Sequence, residues 1–190
     1  MSTARAMVDA CAVFLEHLDG AQREAASFSF EDEERLSWSY LPGRRGGLVL
    51  ADLGPEDRVR LQDLLSSGLS ANGTRTATAI IEHEEILGAI EAEEGLDASR
   101  RNPGLYWFGV FGEPQDSKSW GWRFEGHHLS LHFTLEGDAL IAVTPSFFGA
   151  NPAQVPRGPR RGLRILAPLE DLARALMASF SEAQLTQALV

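Results

Sequence analysis

The stretch of the chain between Leu105 and Phe148 has the composition of β-strands and limits the folds that the chain can adopt. It holds three apolar, aromatic-rich runs, LYWFGVF, WGWRFEGHHLSLHFTL and LIAVTPSFF, which are separated by short polar segments. Runs of this kind, joined by short turns, are typical of neighbouring antiparallel strands. We therefore predict an antiparallel meander over residues 105–148.

The regions on both sides of this stretch have helical periodicity. Met7, Cys11 and Phe14 recur at helical spacing and predict a first helix that ends near Gly20. Further helices are predicted from Pro55 to about Gly68, from Thr76 to Glu91, from Leu169 to Phe180 and after Ser181. The chain is therefore predicted to be α+β, with the antiparallel sheet packed against helices from both chain ends.

Two further strands and a repeated helix start complete the predicted elements. RLSWSYLP alternates like a strand, and GLVLADL is a short apolar run after the turn-forming PGRRGG. Asp19 is followed by Gln22, and Ser181 by Gln184, at the spacing of a capping box. Each pair predicts the end of one helix, a capping residue and the start of the next helix.

Length and charge set the class of protein. A chain of 190 residues with 44% hydrophobic content can bury the core of one domain, so we predict a single domain over residues 1–190. A net charge of -10 argues against nucleic acid as a partner, because proteins that bind it concentrate Lys and Arg. We find neither a membrane-spanning run nor a signal peptide, and we predict a cytoplasmic protein without a membrane partner.

The run from Trp120 to Phe133 contains three of the five histidines of the chain. As one strand, it would place His128 and His132 on a polar face and His127 at the rim of the apolar face. Neighbouring histidines on a regular strand point in opposite directions and do not readily bind one ion. Gly126 offers a way around this, because a glycine here suits a β-bulge that would redirect the side chains after it.

The helix predicted from Thr76 to Glu91 supplies further candidate site residues. His83 projects near the middle of its apolar face, and Glu84 lies on the flank of that face. Ionisable side chains in such positions need a partner inside the fold, because burying an unpaired charge costs desolvation energy. We therefore predict a site where this helix meets the strand that carries His127.

A metal is one interpretation of this site. The single cysteine, Cys11, leaves histidines and carboxylates as ligands, and such nitrogen and oxygen donors suit zinc, iron or manganese. The predicted metal ligands are His83, His127, His128 and Glu125. Their spacing matches no recognised metal-binding motif, so the prediction rests on the expected meeting of helix and strand.

Catalytic roles are predicted for an overlapping set of residues, Glu84, Arg123, Glu125 and His128. The enzyme would be a metal-dependent hydrolase or oxidoreductase that acts on a small molecule, or it would use a His and Glu pair for acid–base catalysis without a metal. Arg123 is predicted either to clamp a substrate carboxylate or phosphate or to form an internal salt bridge.

A non-catalytic interpretation fits the same residues. Buried polar side chains often hold a sheet to a helix through a hydrogen-bond network. The alternative function is therefore a small-ligand-binding or protein-interaction domain in which the histidine, glutamate and arginine network is structural. Nucleophilic catalysis and phosphate binding find little support, because the chain has no Gly-x-Ser-x-Gly elbow and no P-loop.

Several long motifs resemble one known family. YWFGVFGEP, WGWRFEGHHLSLHFT, TPSFFGANPAQV and GLRILAPLEDLARALMASFSEAQ, with ERLSWSYLPGRRGGLVLADL upstream, resemble the uncharacterised domain-of-unknown-function family 3500. The resemblance runs from about Leu18 to the C-terminus and implies no particular activity, because the members are mostly unassigned. Many members are longer, which implies that this chain is a compact version or lacks a C-terminal part. The family pattern has Asn in place of His132, which makes His132 a poorer candidate for a shared role.

Overall fold

The computed structural model describes residues 2–114, 118–137 and 139–189, so parts of two polar segments between the predicted strands lie outside the described residues. The chain divides into two compact units, Met1–Asn151 and Pro152–Val190. Composition predicts one domain, and this stays a prediction.

Within the described residues, the first unit has four α-helices, α1 (Thr3–His17), α2 (Gly20–Ala26), α3 (Pro55–Gly68) and α4 (Ala71–Glu93). The helix α1 buries Met7, Cys11 and Phe14 on its apolar stripe, as predicted, and lies along α3. Asp19 and Gln22 form the predicted capping box at the start of α2. The prediction of helices before the central strands is therefore confirmed.

The strands that the structure describes form one seven-stranded sheet in the first unit. They are β1 (Ser27–Phe28), β2 (Leu48–Val49), β3 (Tyr106–Phe111), β4 (Ser119–Gly126), β5 (Leu129–Glu136), β6 (Ala139–Ala142) and β7 (Ser146–Phe148). β3 to β6 pair antiparallel in chain order, β2 pairs antiparallel with β3, and β7 pairs antiparallel with β5.

The sheet differs from the predicted meander in two ways. The run LIAVTPSFF forms two strands, β6 and β7, which both pair with β5. β1 runs parallel to β3, because α3 and α4 lie between these strands in the chain and form the long connection that parallel strands need. The α+β class is confirmed. The sheet is mixed and mostly antiparallel, rather than a purely antiparallel meander.

The segment from Ser37 to Gly47 has no regular secondary structure, so the strand predicted over RLSWSYLP is wrong. Leu36 ends a short 3-10 helix, Glu33–Leu36, and the predicted strand over GLVLADL is limited to the two residues of β2. The physical reason lies in the backbone hydrogen bonds. Several carbonyl groups of this segment accept from arginine side chains instead of from a neighbouring strand.

Both faces of the central strands are buried. Every residue of β3 is buried, and so is every residue of β4 after Ser119. β4 carries Arg123 and Glu125, so each of these charged side chains leaves water on folding. A charge in such a position needs partners within the protein.

The second unit contains α5 (Ala167–Ala178) and α6 (Glu182–Ala188), which were both predicted. Ser181 and Gln184 form the predicted capping box at the start of α6. No helix in the described parts of the chain combines the length and the apolar character needed to cross a membrane.

Candidate functional site

His127 and His128 are the two residues of the turn that joins β4 to β5. β4 ends at Gly126, β5 begins at Leu129, and these two residues pair with each other. The prediction that residues 120–133 form one strand is therefore wrong. Because the turn reverses the chain, the two imidazole rings lie side by side, with centroids 3.9 Å apart, instead of pointing in opposite directions.

Gly126 does not form the predicted β-bulge. It is the last paired residue of β4 and lies opposite Tyr106 of β3 in an unbroken register. A Cβ atom at Gly126 would lie 2.3 Å from a ring carbon of Tyr106, so the close approach of this ring requires glycine. Burial raises the pKa of Tyr106 and keeps its hydroxyl protonated, and this hydroxyl donates to the carbonyl of His127 at 2.8 Å.

The backbone of His128 is in the left-handed region, with a φ of 59°. No other non-glycine residue among those described has a positive φ. Its N–H donates to the carbonyl of Tyr40 at 2.9 Å, and its carbonyl accepts from the N–H of Gly149 at 2.7 Å. Its Nδ1 is buried and has no hydrogen-bond partner among the described residues. Burial, together with nearby positive charge, lowers the pKa of His128 to about 4, so its ring is neutral at pH 7.

Glu84 of α4 contacts His127 of the turn. Its Oε1 lies 2.5 Å from Nδ1 of His127, and the two side chains are only 5% and 8% exposed. Arg101 Nη1 lies 3.5 Å from the same nitrogen. The guanidinium of Arg101 is itself held by both carboxylate oxygens of Glu91, at 2.8 and 2.9 Å. The helix that carries His83 and Glu84 thus meets the histidine segment at its turn, and His83 is buried on that helix.

Both carboxylate oxygens of Glu125 contact other groups of the protein. Oε1 accepts from Arg45 Nε at 2.9 Å and from the N–H of Ser39 at 3.1 Å. Oε2 accepts from Ser130 Oγ at 2.6 Å and lies 3.1 Å from His132 Nε2. Burial raises the pKa of Glu125, but these hydrogen bonds and nearby positive charge outweigh burial and hold the pKa below its ordinary value. The carboxylate is therefore ionised, and both of its oxygens are engaged by the protein.

Of the two predicted roles of Arg123, an anion clamp and an internal salt bridge, the side chain has the second. Nη2 donates to the Glu34 carboxylate at 2.7 Å and to the carbonyl of Gly46 at 2.9 Å. Nη1 donates to the carbonyls of Glu34 and Ser37, at 2.9 and 3.0 Å. The side chain is 1% exposed, so the planar fork that would hold a substrate anion is already in use.

A cleft of about 1320 Å³ lies beside the turn. Glu84 and His127 line it from buried positions, and its other lining side chains include Glu125, Arg45, Trp38 and Trp107. Arg45 and Arg101, which contact Glu125 and His127, are not among the site residues predicted from the sequence. A signal for Arg45 was present, because PGRRGG places two arginines between glycines in an acidic protein.

Two of the predicted metal ligands, His127 and His128, lie side by side, but no larger ligand group is gathered among the described residues. In the part of the chain that the structure describes, no group of three or more His, Cys, Asp or Glu side chains could hold a metal ion. His127 is engaged by Glu84, and Glu125 is engaged by Arg45 and Ser130. A metal centre formed by His83, His127, His128 and Glu125 therefore stays a prediction.

The chain matches the model of a protein family. The family model described as a protein of unknown function (DUF3500) matches residues 1–190, which is the whole chain. No curated protein and no solved structure matches the chain. The function must therefore be inferred from the geometry of the site.

Proposed function

Because the chain belongs to the family of proteins of unknown function DUF3500, we propose a function from its own site: an enzyme that acts on a small molecule by general acid–base catalysis. His127 is the group that transfers the proton, and Glu84 is the positioning residue that orients it. The reaction class is hydrolysis.

One observation carries this proposal. A glutamate and a histidine are paired at 2.5 Å, and both line a cleft although each residue is less than a tenth exposed. A titratable pair that borders a cleft from a buried position is a usual arrangement for acid–base catalysis. An open cleft also gives a small molecule access to the pair.

The pairing assigns a separate role to each ring nitrogen of His127. A carboxylate that binds Nδ1 fixes the orientation and tautomer of the ring and stabilises the imidazolium that forms when Nε2 takes up a proton. Nε2 is then the atom that removes a proton from a water molecule and returns it to the leaving group.

Proton transfer is the chemistry that this pair can carry out, and hydrolysis uses proton transfer. A histidine and a glutamate transfer protons but carry no electrons, and hydrolysis needs only water besides the substrate. The metal-dependent form of the prediction has no gathered ligand set within the described residues, so the proposed mechanism uses no metal.

A second candidate is a non-catalytic domain that binds a small ligand. It is favoured by Arg123 and Glu125, because these two residues of the predicted catalytic set direct their charged groups to the protein. In that case the cleft binds its ligand without converting it, and the Glu84–His127 pair holds α4 to the turn.

The test is an activity screen of the full chain against chromogenic esters, amides, phosphoesters and glycosides between pH 5 and 9. We expect hydrolysis of at least one class. His127→Gln should lower kcat by about 10²- to 10⁴-fold, the usual contribution of a general acid or base, and Glu84→Gln should lower it by a smaller factor. His17→Gln and Glu85→Gln, which alter exposed residues, should keep the wild-type rate.

Two results would contradict the proposal. One is wild-type protein that hydrolyses no substrate of the screen, and the other is His127→Gln protein that keeps the wild-type kcat. Circular dichroism of each variant verifies that it is folded. Incubation with a chelator should leave kcat unchanged, and a loss of activity that zinc, iron or manganese restores would support the metal-dependent alternative.

A further inference from the structure

Three aromatic side chains form a cluster next to the turn, in which Trp38 and Tyr40 are exposed and Phe147 is half-buried. The ring centroids of Tyr40 and Phe147 lie 5.0 Å apart, and those of Trp38 lie 6.3 Å from Tyr40 and 6.4 Å from Phe147. Trp38 is 49% exposed and Tyr40 is 42% exposed. Contiguous exposed aromatic surface is costly in water and marks a binding site more often than chance surface composition does. We call these three residues the aromatic platform.

Hydrogen bonds hold the backbone around Tyr40, next to Trp38. Arg45 donates to the carbonyls of Ser39 and Leu41, at 2.9 and 2.6 Å, and Glu125 accepts from the N–H of Ser39 at 3.1 Å. Tyr40 accepts from the N–H of His128 at 2.9 Å. An irregular segment held in this way presents its aromatic rings in one arrangement, so little conformational entropy is lost when a ligand binds.

The platform continues into the cleft that contains the proposed catalytic pair. Trp38 lines the cleft, as do Trp107, Glu84 and His127. A ligand that lies on Trp38 therefore extends towards the pair. This inference rests on the proposed function, because it names the substrate class of the same site.

The charges of the cleft favour an uncharged, polar ligand. Glu125 is paired with Arg45, Glu34 with Arg123 and Glu84 with His127. The other charged side chains of the lining have both signs, and they are Glu24, Asp52, Arg44 and Arg100. Carboxylates accept hydrogen bonds from hydroxyl groups, and guanidinium groups donate hydrogen bonds to hydroxyl groups. A lining with both kinds of side chain therefore suits a ligand rich in hydroxyl groups better than a ligand that carries a single type of charge.

We propose that the cleft binds a neutral oligosaccharide, with the C–H face of one sugar ring packed on the aromatic platform. A sugar ring combines the two features that the cleft provides for, an apolar face and a rim of hydroxyl groups. The volume of about 1320 Å³ exceeds the roughly 300–1,000 Å³ of ordinary ligand pockets, which favours several sugar units over one.

The test is calorimetric titration of the full chain with cellotetraose, xylotetraose, maltotetraose and chitotetraose, and with naphthalene-2-sulfonate as a planar aromatic probe. We expect at least one tetrasaccharide to bind, and Trp38→Ala to weaken its binding by ten-fold or more. Trp38→Phe should lose less, because it keeps an aromatic face. Leu36→Ala is the matched control, since Leu36 is 72% exposed and does not line the cleft.

The outcomes separate this inference from the proposed function. His127→Gln should turn over the substrate of the wild-type protein about 10²- to 10⁴-fold more slowly, whereas Glu85→Gln, which alters an exposed residue outside the cleft, should bind the tetrasaccharide as wild-type protein does. Saccharide binding without any hydrolysis would leave this inference standing and contradict the proposed function. Hydrolysis of other substrates by protein that binds no tetrasaccharide would do the reverse. Binding of the naphthalene probe alone, or equal affinity in Trp38→Ala and wild-type protein, would overturn the oligosaccharide proposal.

Discussion

Arg45 and Glu125 form a buried ion pair in which Nε and Oε1 are 2.9 Å apart and the side chains are 6% and 1% exposed. Arg123 and Glu34 form a second ion pair, with Nη2 and Oε1 2.7 Å apart. In the first pair the arginine lies on the segment from Glu34 to Gly47 and the glutamate on β4, and in the second pair the arginine lies on β4 and the glutamate on the segment. These two pairs hold the wall of the cleft to the sheet.

Removal of Arg45 should strongly destabilise the protein. Arg45→Met leaves the buried Glu125 carboxylate without its cationic partner, and we expect the free energy of unfolding to fall by about 3–5 kcal/mol. Urea denaturation followed by circular dichroism measures this change. Arg60→Met is the control, because Arg60 pairs with acids on the surface of α3 and its loss should cost about 1 kcal/mol or less. Equal losses in the two variants would show that the Arg45 pair is no anchor.

Gly126→Ala should destabilise the hairpin. The added methyl group would lie 2.3 Å from the Tyr106 ring, and overpacking of this kind costs about 1–3 kcal/mol or more. Gly20→Ala is a matched control, because nothing lies within 4 Å of the added atom and α2 accepts alanine. Thermal unfolding of both variants checks the prediction, which a Gly126→Ala protein with the wild-type Tm would refute.

Two variants separate the effect of the left-handed backbone of His128 on stability from the effect of its side chain. Both His128→Gly and His128→Ala remove the ring, but only alanine keeps the steric cost of a φ of 59°. We expect the glycine variant to be more stable than the alanine variant by about 1 kcal/mol. Chemical denaturation of the two proteins under the same conditions gives this difference. An alanine variant of equal or greater stability would show that the turn relaxes after the ring is lost.

Stability should fall on mild acidification because of His128. Its pKa is about 4 in the folded protein and about 6.5 in the unfolded chain, so the unfolded state takes up the proton first. The contribution of neutral His128 to the free energy of unfolding is complete above pH 6.5 and is lost as the pH falls towards 4. Measurements of Tm between pH 7 and 5 should show a shallower fall in His128→Gln than in wild-type protein. His17→Gln, on the exposed end of α1, should keep the wild-type slope, and an unchanged slope in His128→Gln would rule out this origin.

Much of the fold could be predicted because helical periodicity and apolar strand runs are local properties of a sequence. The apolar stripe of α1, the burial of His83 and Glu84 on α4 and the two capping boxes follow from residues a few positions apart. The turn at His127 and His128 could not be predicted in this way. Its residues lack the usual Asn-Gly or Asp-Gly signal, and the alternation of apolar residues continues on both sides of it.

Within the candidate site, the sequence by itself determined that Glu84, Arg123 and Glu125 would need partners, because a charge among apolar neighbours is costly to bury. The choice of partner was decided by the tertiary structure alone. Arg45 and Glu125 are 80 residues apart in the chain, and Glu84 and His127 are 43 apart. No pattern within a few residues of either side chain indicates a partner so far away in the sequence. Packing both faces of β4 against other elements turned Arg123 and Glu125 into anchors of the cleft wall, and the reversal at the hairpin brought His127 to Glu84.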